Sequence, residues 1–100
     1  MTNKITNTMY GIVVSSKFEK QLKKLNKQGK DIEKLKAVIK KLANGEKLDA
    51  KYRDHQLINA KKYNNCRECH IEPDWLLIYR IKNYELELYL FRTGSHSDLF

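Results

Sequence analysis

The sequence predicts an α+β fold: an N-terminal strand, a two-helix hairpin, and then a three- to four-stranded antiparallel meander with both helices on one sheet face. Three observations predict it. Apolar residues recur at helical spacing in the first half, β-branched and aromatic runs dominate the second half, and turn-forming residues separate the runs. The chain has 100 residues, which suits a single domain over 1–100, and residues 1–8 are a candidate disordered segment.

The first strand and the first helix meet at a pair of serines. Residues 9–16, MYGIVVSS, form a short β-branched run, and Ser16 to Glu19 fits the capping-box pattern of a helix start. Apolar residues follow at helical spacing: Phe18, Leu22 and Leu25. Gly29 is then predicted to end the helix.

The second helix is predicted to begin after Asp31, which can cap it, and to end at Asn44-Gly45. Its apolar positions again follow helical spacing: Ile32, Leu35, Val38, Ile39 and Leu42. Residues 46–65 show no sustained period. We therefore expect a long loop there, with at most one short strand near residues 56–58.

The second half contains three predicted strands, residues 66–72, 75–82 and 84–92. Turn-forming pairs, Pro73-Asp74 and Lys82-Asn83, separate them. The run WLLIY is apolar on both faces, as in a central strand, whereas the last run alternates leucine with polar residues, as in a half-exposed one. With both helices on one face, we expect the other face of the sheet to be open.

The chain is strongly basic, with 20 Lys and Arg against 12 Asp and Glu, a formal charge of +8. Such a charge attracts polyanions such as RNA, although a lysine-rich face can also serve solubility alone. No apolar run is long enough to cross a membrane, and the first residues, MTNKITNT, do not resemble a secretory signal. We therefore expect a cytoplasmic protein that does not contact membranes.

Residues 66–70, CRECH, spell the attachment motif of a c-type haem. The surrounding residues favour a strand, in which positions three apart point to opposite faces, so Cys66 and Cys69 are poorly placed to share a haem or a zinc ion. We expect two reduced structural thiols, and neither a cofactor nor a metal ion.

The chain has three histidines, His55, His70 and His96, each next to polar or aromatic residues. Strand parity places His70 with Glu68 and Glu72 on the face away from the helices. Exposed histidines are often ordinary surface residues, but an imidazole can also give or take a proton near neutral pH. The set therefore suits metal-free acid-base catalysis on a phosphodiester.

Arg92, at the end of the last predicted strand, can bind a phosphate with two parallel hydrogen bonds. Strict alternation gives it the parity of the buried leucines, so this role requires the strand to end or twist there. Trp75 and Tyr79 are rings on which an RNA base can stack. The alternative for both is a place in the core, which we favour for Tyr79.

Three segments resemble a known family: DHQL at 54–57, RECHIEPDWLLIYRI at 67–81, and FRTGSHSDLF at 91–100. They are similar to the YafQ branch of the RelE/ParE superfamily, the mRNA-cleaving toxins of bacterial type II toxin-antitoxin systems. The resemblance implies a RelE-like fold, also similar to microbial RNases. Relatives often carry glycines where this chain has Ile58-Asn59 and Asn64-Asn65, but asparagine also tolerates a positive φ.

The resemblance implies an active site formed by His55, His70, Asp74, Trp75, Arg92, His96 and Phe100. Catalysis is expected from His55, His70, Asp74, Arg92 and His96, and RNA binding from Trp75, Phe100, Lys17, Lys20 and Lys24. The implied reaction is cleavage of mRNA in the ribosome by attack of the ribose 2′-hydroxyl. The alternatives are a non-catalytic toxin of the ParE type and a plain RNA-binding module.

The resemblance also implies partners: a cognate antitoxin, mRNA and the ribosome, with operator DNA bound only by the toxin-antitoxin complex. The free protein is expected to be a monomer and the complex a hetero-oligomer. We further expect that Gly94 lets the last residues turn back over the open sheet face. His96 then reaches the site while Leu99 and Phe100 anchor the tail.

Overall fold

The computed structural model describes residues 8–58 and 61–100. The candidate disordered segment therefore lies outside the described residues except for Thr8. The strands are β1 (Gly11–Val14), β2 (His55–Gln56), β3 (Arg67–Glu72), β4 (Trp75–Lys82) and β5 (Glu87–Gly94). The helices are α1 (Ser16–Lys27), α2 (Ile32–Ala43) and α3 (His96–Leu99).

The strands form one five-stranded sheet in the order β1-β5-β4-β3-β2. The three pairs from β2 to β5 are antiparallel, whereas β1 lies parallel to β5 at the sheet edge. A parallel pair needs a crossover connection, and here the helical hairpin lies within it. The predicted α+β fold is confirmed, with a sheet that is mixed rather than purely antiparallel.

Both long helices pack on one face of the sheet, which we call the helix face. Phe18 and Leu25 of α1, with Leu35 and Val38 of α2, are buried there against strand residues. The cap of α1 differs from the prediction by one residue: Ser15, not Ser16, accepts a hydrogen bond from the Phe18 N–H at 3.0 Å. Ser15 also donates to the Phe91 carbonyl at 2.6 Å, which joins the start of α1 to β5.

The opposite face, which we call the tail face, carries a second apolar cluster. Its buried members are Tyr63, Cys66, Leu76, Ile78 and Leu99. Leu99 belongs to the C-terminal tail, residues 95–100, so the tail covers part of the face that the sequence predicted to be open. The predicted return of the tail over this face is confirmed for Leu99, whose side chain is fully buried.

The last strand starts later than predicted. Residues Asn83–Glu85 form a 3₁₀ turn, and Leu86 has φ +52° with its side chain 56% exposed. A leucine predicted to belong to the buried stripe instead closes a tight turn. The alternating pattern holds only from Glu87 onward, where Leu88 and Leu90 are buried.

A β-bulge at Phe91 changes the side-chain parity of β5. Tyr79 of β4 pairs with Leu90, but the adjacent Ile78 pairs with Arg92, so Phe91 is the extra residue. A bulge shifts every following side chain to the other face. Arg92 therefore shares the tail face with Ile78, although strict alternation had placed it with the leucines.

The long loop contains more local structure than the sequence suggested. Two 3₁₀ turns, Ala50–Tyr52 and Lys61–Tyr63, flank the short strand β2, which is centred slightly earlier than predicted. Asn65 has φ +61°, as expected of an asparagine in a glycine position, whereas Asn59 lies outside the described residues. Within residues 8–58 and 61–100, every helix is too short or too polar to cross a lipid bilayer.

The two cysteines lie on opposite sides of the sheet, as their spacing predicted. Cys66 belongs to the tail-face cluster and Cys69 to the helix-face core, and both are free thiols. Burial raises the pKa of both thiols above the ordinary cysteine value, which disfavours the reactive thiolate. Both side chains therefore act as packing residues.

Candidate active site

The strand register arranges the candidate residues in two rows across the tail face. One row runs from His55 through Glu68 and Ile78 to Arg92. The other runs from His70 through Leu76 to Gly94, the residue that precedes the tail. Adjacent strands lie about 4.8 Å apart, so His55 and Arg92 stand at opposite ends of their row, about 14 Å apart.

Glu68 lies between two of the histidines. Its carboxylate Oε1 is 3.4 Å from His55 Nε2 and 3.6 Å from His70 Nε2, and its side chain is only 8% exposed. The Nδ1 of His55 lies 2.7 Å from the Arg53 carbonyl oxygen, and the Nδ1 of His70 lies 3.1 Å from the Pro73 carbonyl oxygen. A carbonyl can only accept, so these contacts orient each ring with Nδ1 toward the backbone and Nε2 toward Glu68.

His70 lies on the tail face, as predicted, but Glu72 does not. The register shifts between His70 and Glu72, and this irregularity turns the Glu72 carboxylate toward the helices. There it pairs with Lys30 at 3.2 Å and with Lys34 at 3.0 Å. The hydrogen bonds from these two lysines, Lys34 first, lower the pKa of Glu72. Glu72 therefore fastens β3 to the helical hairpin.

The tail is held beside the turn that follows β3. Ser95 caps α3 by accepting from the Asp98 N–H, and Asp98 Oδ2 accepts from the Ser95 N–H. Hydrogen bonding of the Asp98 carboxylate by the Ser95 side chain, and then by the Ser95 backbone N–H, lowers the pKa of Asp98. The backbone N–H of His96 then donates to Asp74 Oδ1 at 3.1 Å. Asp74 follows Pro73, whose carbonyl contacts His70, so the tail histidine and the strand histidine border the same turn.

Phe100 completes the tail by packing against two rings. It stacks on His96 with centroids 4.9 Å apart and meets Tyr63 edge-to-face at 5.3 Å. Its side chain is 51% exposed, so the expected anchoring role falls to Leu99. One face of Phe100 orients the imidazole while the rest of the ring stays accessible.

Tyr63 connects the tail to Arg92, and the sequence analysis did not single it out. Its hydroxyl donates to the Leu99 carbonyl at 2.6 Å and accepts from Arg92 Nη1 at 3.3 Å. Burial raises the pKa of Tyr63, so the phenol keeps its proton at neutral pH. No local pattern identifies this residue, because it lies in a short 3₁₀ turn and meets its partners only in the folded chain.

The chain from residue 10 to residue 100 matches the family model described as the bacterial toxin of type II toxin-antitoxin systems, YafQ. This chain belongs to the YafQ family. It is 39% identical over 90 residues to the mRNA interferase toxin YafQ of Escherichia coli K12, an alignment that covers 89% of this chain and 94% of the relative.

Solved structures agree with this assignment. A metal-bound toxin from Helicobacter pylori is 47% identical, with a TM-score of 0.86, covering 92% of this chain and 100% of that one. YafQ in the E. coli DinJ-YafQ toxin-antitoxin complex is 36% identical, with a TM-score of 0.82, covering 92% of this chain and 98% of that one. The fold of the YafQ family is therefore the fold of this chain.

The metal-bound H. pylori relative raises the question of whether the residues present here suit a metal ion. Across residues 8–58 and 61–100, no three His, Cys, Asp or Glu side chains are grouped so that they can hold one. The side chains of these described residues therefore do not form a metal-ligand group.

Trp75 is not available for base stacking in this YafQ-family chain, contrary to the sequence-based expectation. Its side chain is 1% exposed in the helix-face core, and its Nε1–H donates to Thr93 Oγ1 at 2.9 Å. The Thr93 hydroxyl in turn donates to the Leu76 carbonyl at 2.8 Å. Trp75 therefore braces the end of β5, next to Gly94 and the tail.

The predicted RNA-binding lysines of this YafQ-family chain lie on the exposed side of α1. Lys24 is close to the tail, because it lines a small recess with Gly94 and Asp98. Lys17 and Lys20 lie nearer the start of α1. In the described part of the chain, neither forms a hydrogen bond or an ion pair with a candidate catalytic residue.

Proposed function

We propose that this chain is the toxin of a type II toxin-antitoxin pair and that it cleaves mRNA in the ribosome without a metal ion. The proposal is carried mainly by the 3.1 Å hydrogen bond from the His96 N–H to Asp74. This contact brings the C-terminal histidine to the turn that also holds the His70 ring. The mRNA interferase relatives in E. coli support the substrate class.

Three chemical tasks are needed to cleave RNA in this way. A base takes the proton from the ribose 2′-hydroxyl, whose oxygen then attacks the adjacent phosphorus. An acid protonates the 5′-oxygen as its bond to phosphorus breaks, leaving a 2′,3′-cyclic phosphate and a 5′-hydroxyl. His96, with His70 or Asp74, serves as the acid-base pair, and each group needs to lie within hydrogen-bond reach of its oxygen.

Arg92 supplies the positive charge that opposes the charge on the phosphate in the transition state. Its Nη1 contacts only the neutral phenol of Tyr63 at 3.3 Å, and its buried Nε has no hydrogen-bond partner in the described structure. No ion pair with a carboxylate involves Arg92 within residues 8–58 and 61–100. The terminal N–H groups of its guanidinium can donate to a phosphate oxygen, which makes Arg92 the best-placed cation of the site.

The remaining predicted residues have supporting roles. His55 is separated from Arg92 by Ile78 in its row and reaches the site through Glu68, so we assign it to orienting the Glu68–His70 pair. Phe100 offers its accessible ring to a base. Lys24 borders the tail, and the net charge of +8 favours capture of the polyanionic substrate.

A cognate antitoxin is the second proposed partner. The E. coli relative forms a complex with DinJ, and a basic toxin favours an acidic partner that covers its surface. We propose that the toxin acts in the cytoplasm, is monomeric when free, and is a hetero-oligomer with its antitoxin, the form that would bind operator DNA.

The decisive experiment uses ribosomes programmed with a short mRNA and the purified toxin. Cleavage should give a 2′,3′-cyclic phosphate and a 5′-hydroxyl, and a single 2′-deoxy substitution at the cut position should abolish it. Unchanged cleavage of the 2′-deoxy mRNA would refute attack by the 2′-hydroxyl. Growth arrest without any mRNA cleavage would favour the ParE-type alternative.

A further inference from the structure

A cavity of about 450 Å³ opens beside His70, outside the tail contacts described above. It lies between α2 and the Ala50–Tyr52 turn, along the part of β3 that extends beyond β2. Its volume is in the range of about 300–1,000 Å³ typical of small-ligand sites. The polar and aromatic residues that line it are Lys34, Lys51, Tyr52, Arg53, His70 and Glu72.

The charge of this cavity is positive. Lys51 and Arg53 are exposed, and neither takes part in an ion pair within the described residues. The single carboxylate among the lining residues, that of Glu72, is already paired with Lys30 and Lys34. Two cations therefore remain without a counter-charge at its rim.

The backbone connects this cavity to the candidate active site. Arg53 has φ +50°, and its carbonyl lies 2.7 Å from Nδ1 of His55. Arg53 thus ends the 3₁₀ turn, and its carbonyl positions the ring of His55. His70 lines the cavity at the edge of β3 that β2 does not cover, and its ring contacts Glu68 on the tail face, so a ligand in the cavity would lie across this strand edge from the proposed reaction centre.

The cavity also has an aromatic wall. Tyr52 is half-buried and packs on the helix-face core, which fixes its ring, and Lys51 Nζ lies 5.2 Å from the ring centroid. A fixed ring flanked by two cations suits a nucleotide, because the ring contacts the base or ribose while the cations contact phosphate.

We propose that this cavity binds a nucleotide of the mRNA next to the cleaved linkage, with Lys51 and Arg53 on its phosphate and Tyr52 against its base or ribose. The inference rests on the proposed function and adds a substrate-binding subsite to it. RNA is favoured over an acidic antitoxin segment because His70 belongs both to the cavity and to the proposed reaction centre.

The test compares two charge-matched variants in a His96→Ala background, so that RNA is bound without being cut. The subsite variant carries Lys51→Gln and Arg53→Asn, because asparagine tolerates the left-handed backbone. The control carries Lys23→Gln and Lys27→Gln on the exposed side of α1. The probe is a fluorescein-labelled single-stranded RNA containing the cleavage site, titrated at several salt concentrations.

Each lost phosphate contact reduces the slope of log affinity against log salt by about 0.7 for single strands. The subsite variant should therefore have a slope smaller by about 1.4. Between 50 and 200 mM salt the parent should lose about sevenfold more affinity than this variant. The control should retain nearly the parental slope. Equal slopes in the subsite variant and the control would overturn the proposal.

Two further results separate this inference from the proposed function. Cleavage by the wild-type toxin together with equal slopes would refute the subsite alone. RNA binding with the expected slope difference, but without cleavage by the wild-type toxin, would refute the nuclease and leave the subsite standing. If the subsite variant lost affinity only for an acidic antitoxin peptide, the cavity would be a protein-binding site and the proposal would be wrong.

Discussion

Leu99→Ala tests how the tail is held at the site. Leu99 is fully buried in the tail-face cluster, and replacing a buried leucine by alanine typically costs about 2–5 kcal/mol. If about 3 kcal/mol of this cost falls on docking of the tail, the equilibrium constant for docking decreases about 10²-fold. Cleavage should decrease by up to this factor, because His96 and Phe100 lie on the same short segment.

Cleavage of ribosome-bound mRNA is measured by primer extension, and folding is followed by the fluorescence of the single tryptophan during urea unfolding. Trp75 lies in the helix-face core, so it reports on the body of the protein. Leu86→Ala is the matched control, because it makes the same chemical change at a side chain that is 56% exposed. A folded Leu99→Ala protein that cleaves within about twofold of the wild-type rate would show that anchoring by Leu99 does not support the site.

Two further predictions concern buried phenols. Tyr63→Phe removes the hydrogen bonds to Leu99 and Arg92, so urea unfolding should show a loss of about 0.5–1.5 kcal/mol and cleavage should slow. Unchanged cleavage would exclude a role for Tyr63 in positioning these groups. Burial, and after it the hydrogen bond to Asp54, raises the pKa of Tyr79 in the folded protein. The neutral phenol therefore stabilises the fold fully below about pH 10, and this stabilisation is lost as the pH rises toward the folded-state pKa. The urea midpoint should therefore decrease above about pH 10, and more steeply in the wild type than in Tyr79→Phe; parallel curves would refute this assignment.

Local patterns in the sequence were sufficient for the elements and for some faces. Helical spacing identified α1 and α2, and period-two parity placed His70 on the tail face and the two cysteines on opposite sides. These features depend on neighbouring residues alone. The pairing of β1 with β5 could not be found this way, because the partners are far apart in the chain.

Irregularities in the sheet decide where two of these residues lie. The register shift after His70 turned Glu72 to the helices, contrary to the parity prediction, whereas the bulge at Phe91 supplied the change of direction that the predicted role of Arg92 required. Each depends on how two strands fit together, which neither strand shows by itself. The buried state of Trp75 likewise depends on the helices that cover it.

Some signals were present but were not used. Ser95 and Asp98 have the spacing of a capping box, which would have predicted the short helix α3. Parity placed Glu68 beside His70, but its burial between two imidazoles required the position of β2. Tyr63 had no local signal, because both of its hydrogen-bond partners lie more than 25 residues away in the chain.

The most direct test of the account is a double-mutant cycle on mRNA cleavage with His70→Ala, His96→Ala and the double variant. Groups that act together in one reaction give strongly non-additive effects. We predict that each single change slows cleavage by about 10²–10⁴-fold and that the double variant is about as slow as the slower single one. Two results would contradict convergence of these histidines on one linkage. One is a double variant whose rate reduction equals the product of the two single rate reductions, and the other is cleavage at the wild-type rate by either single variant.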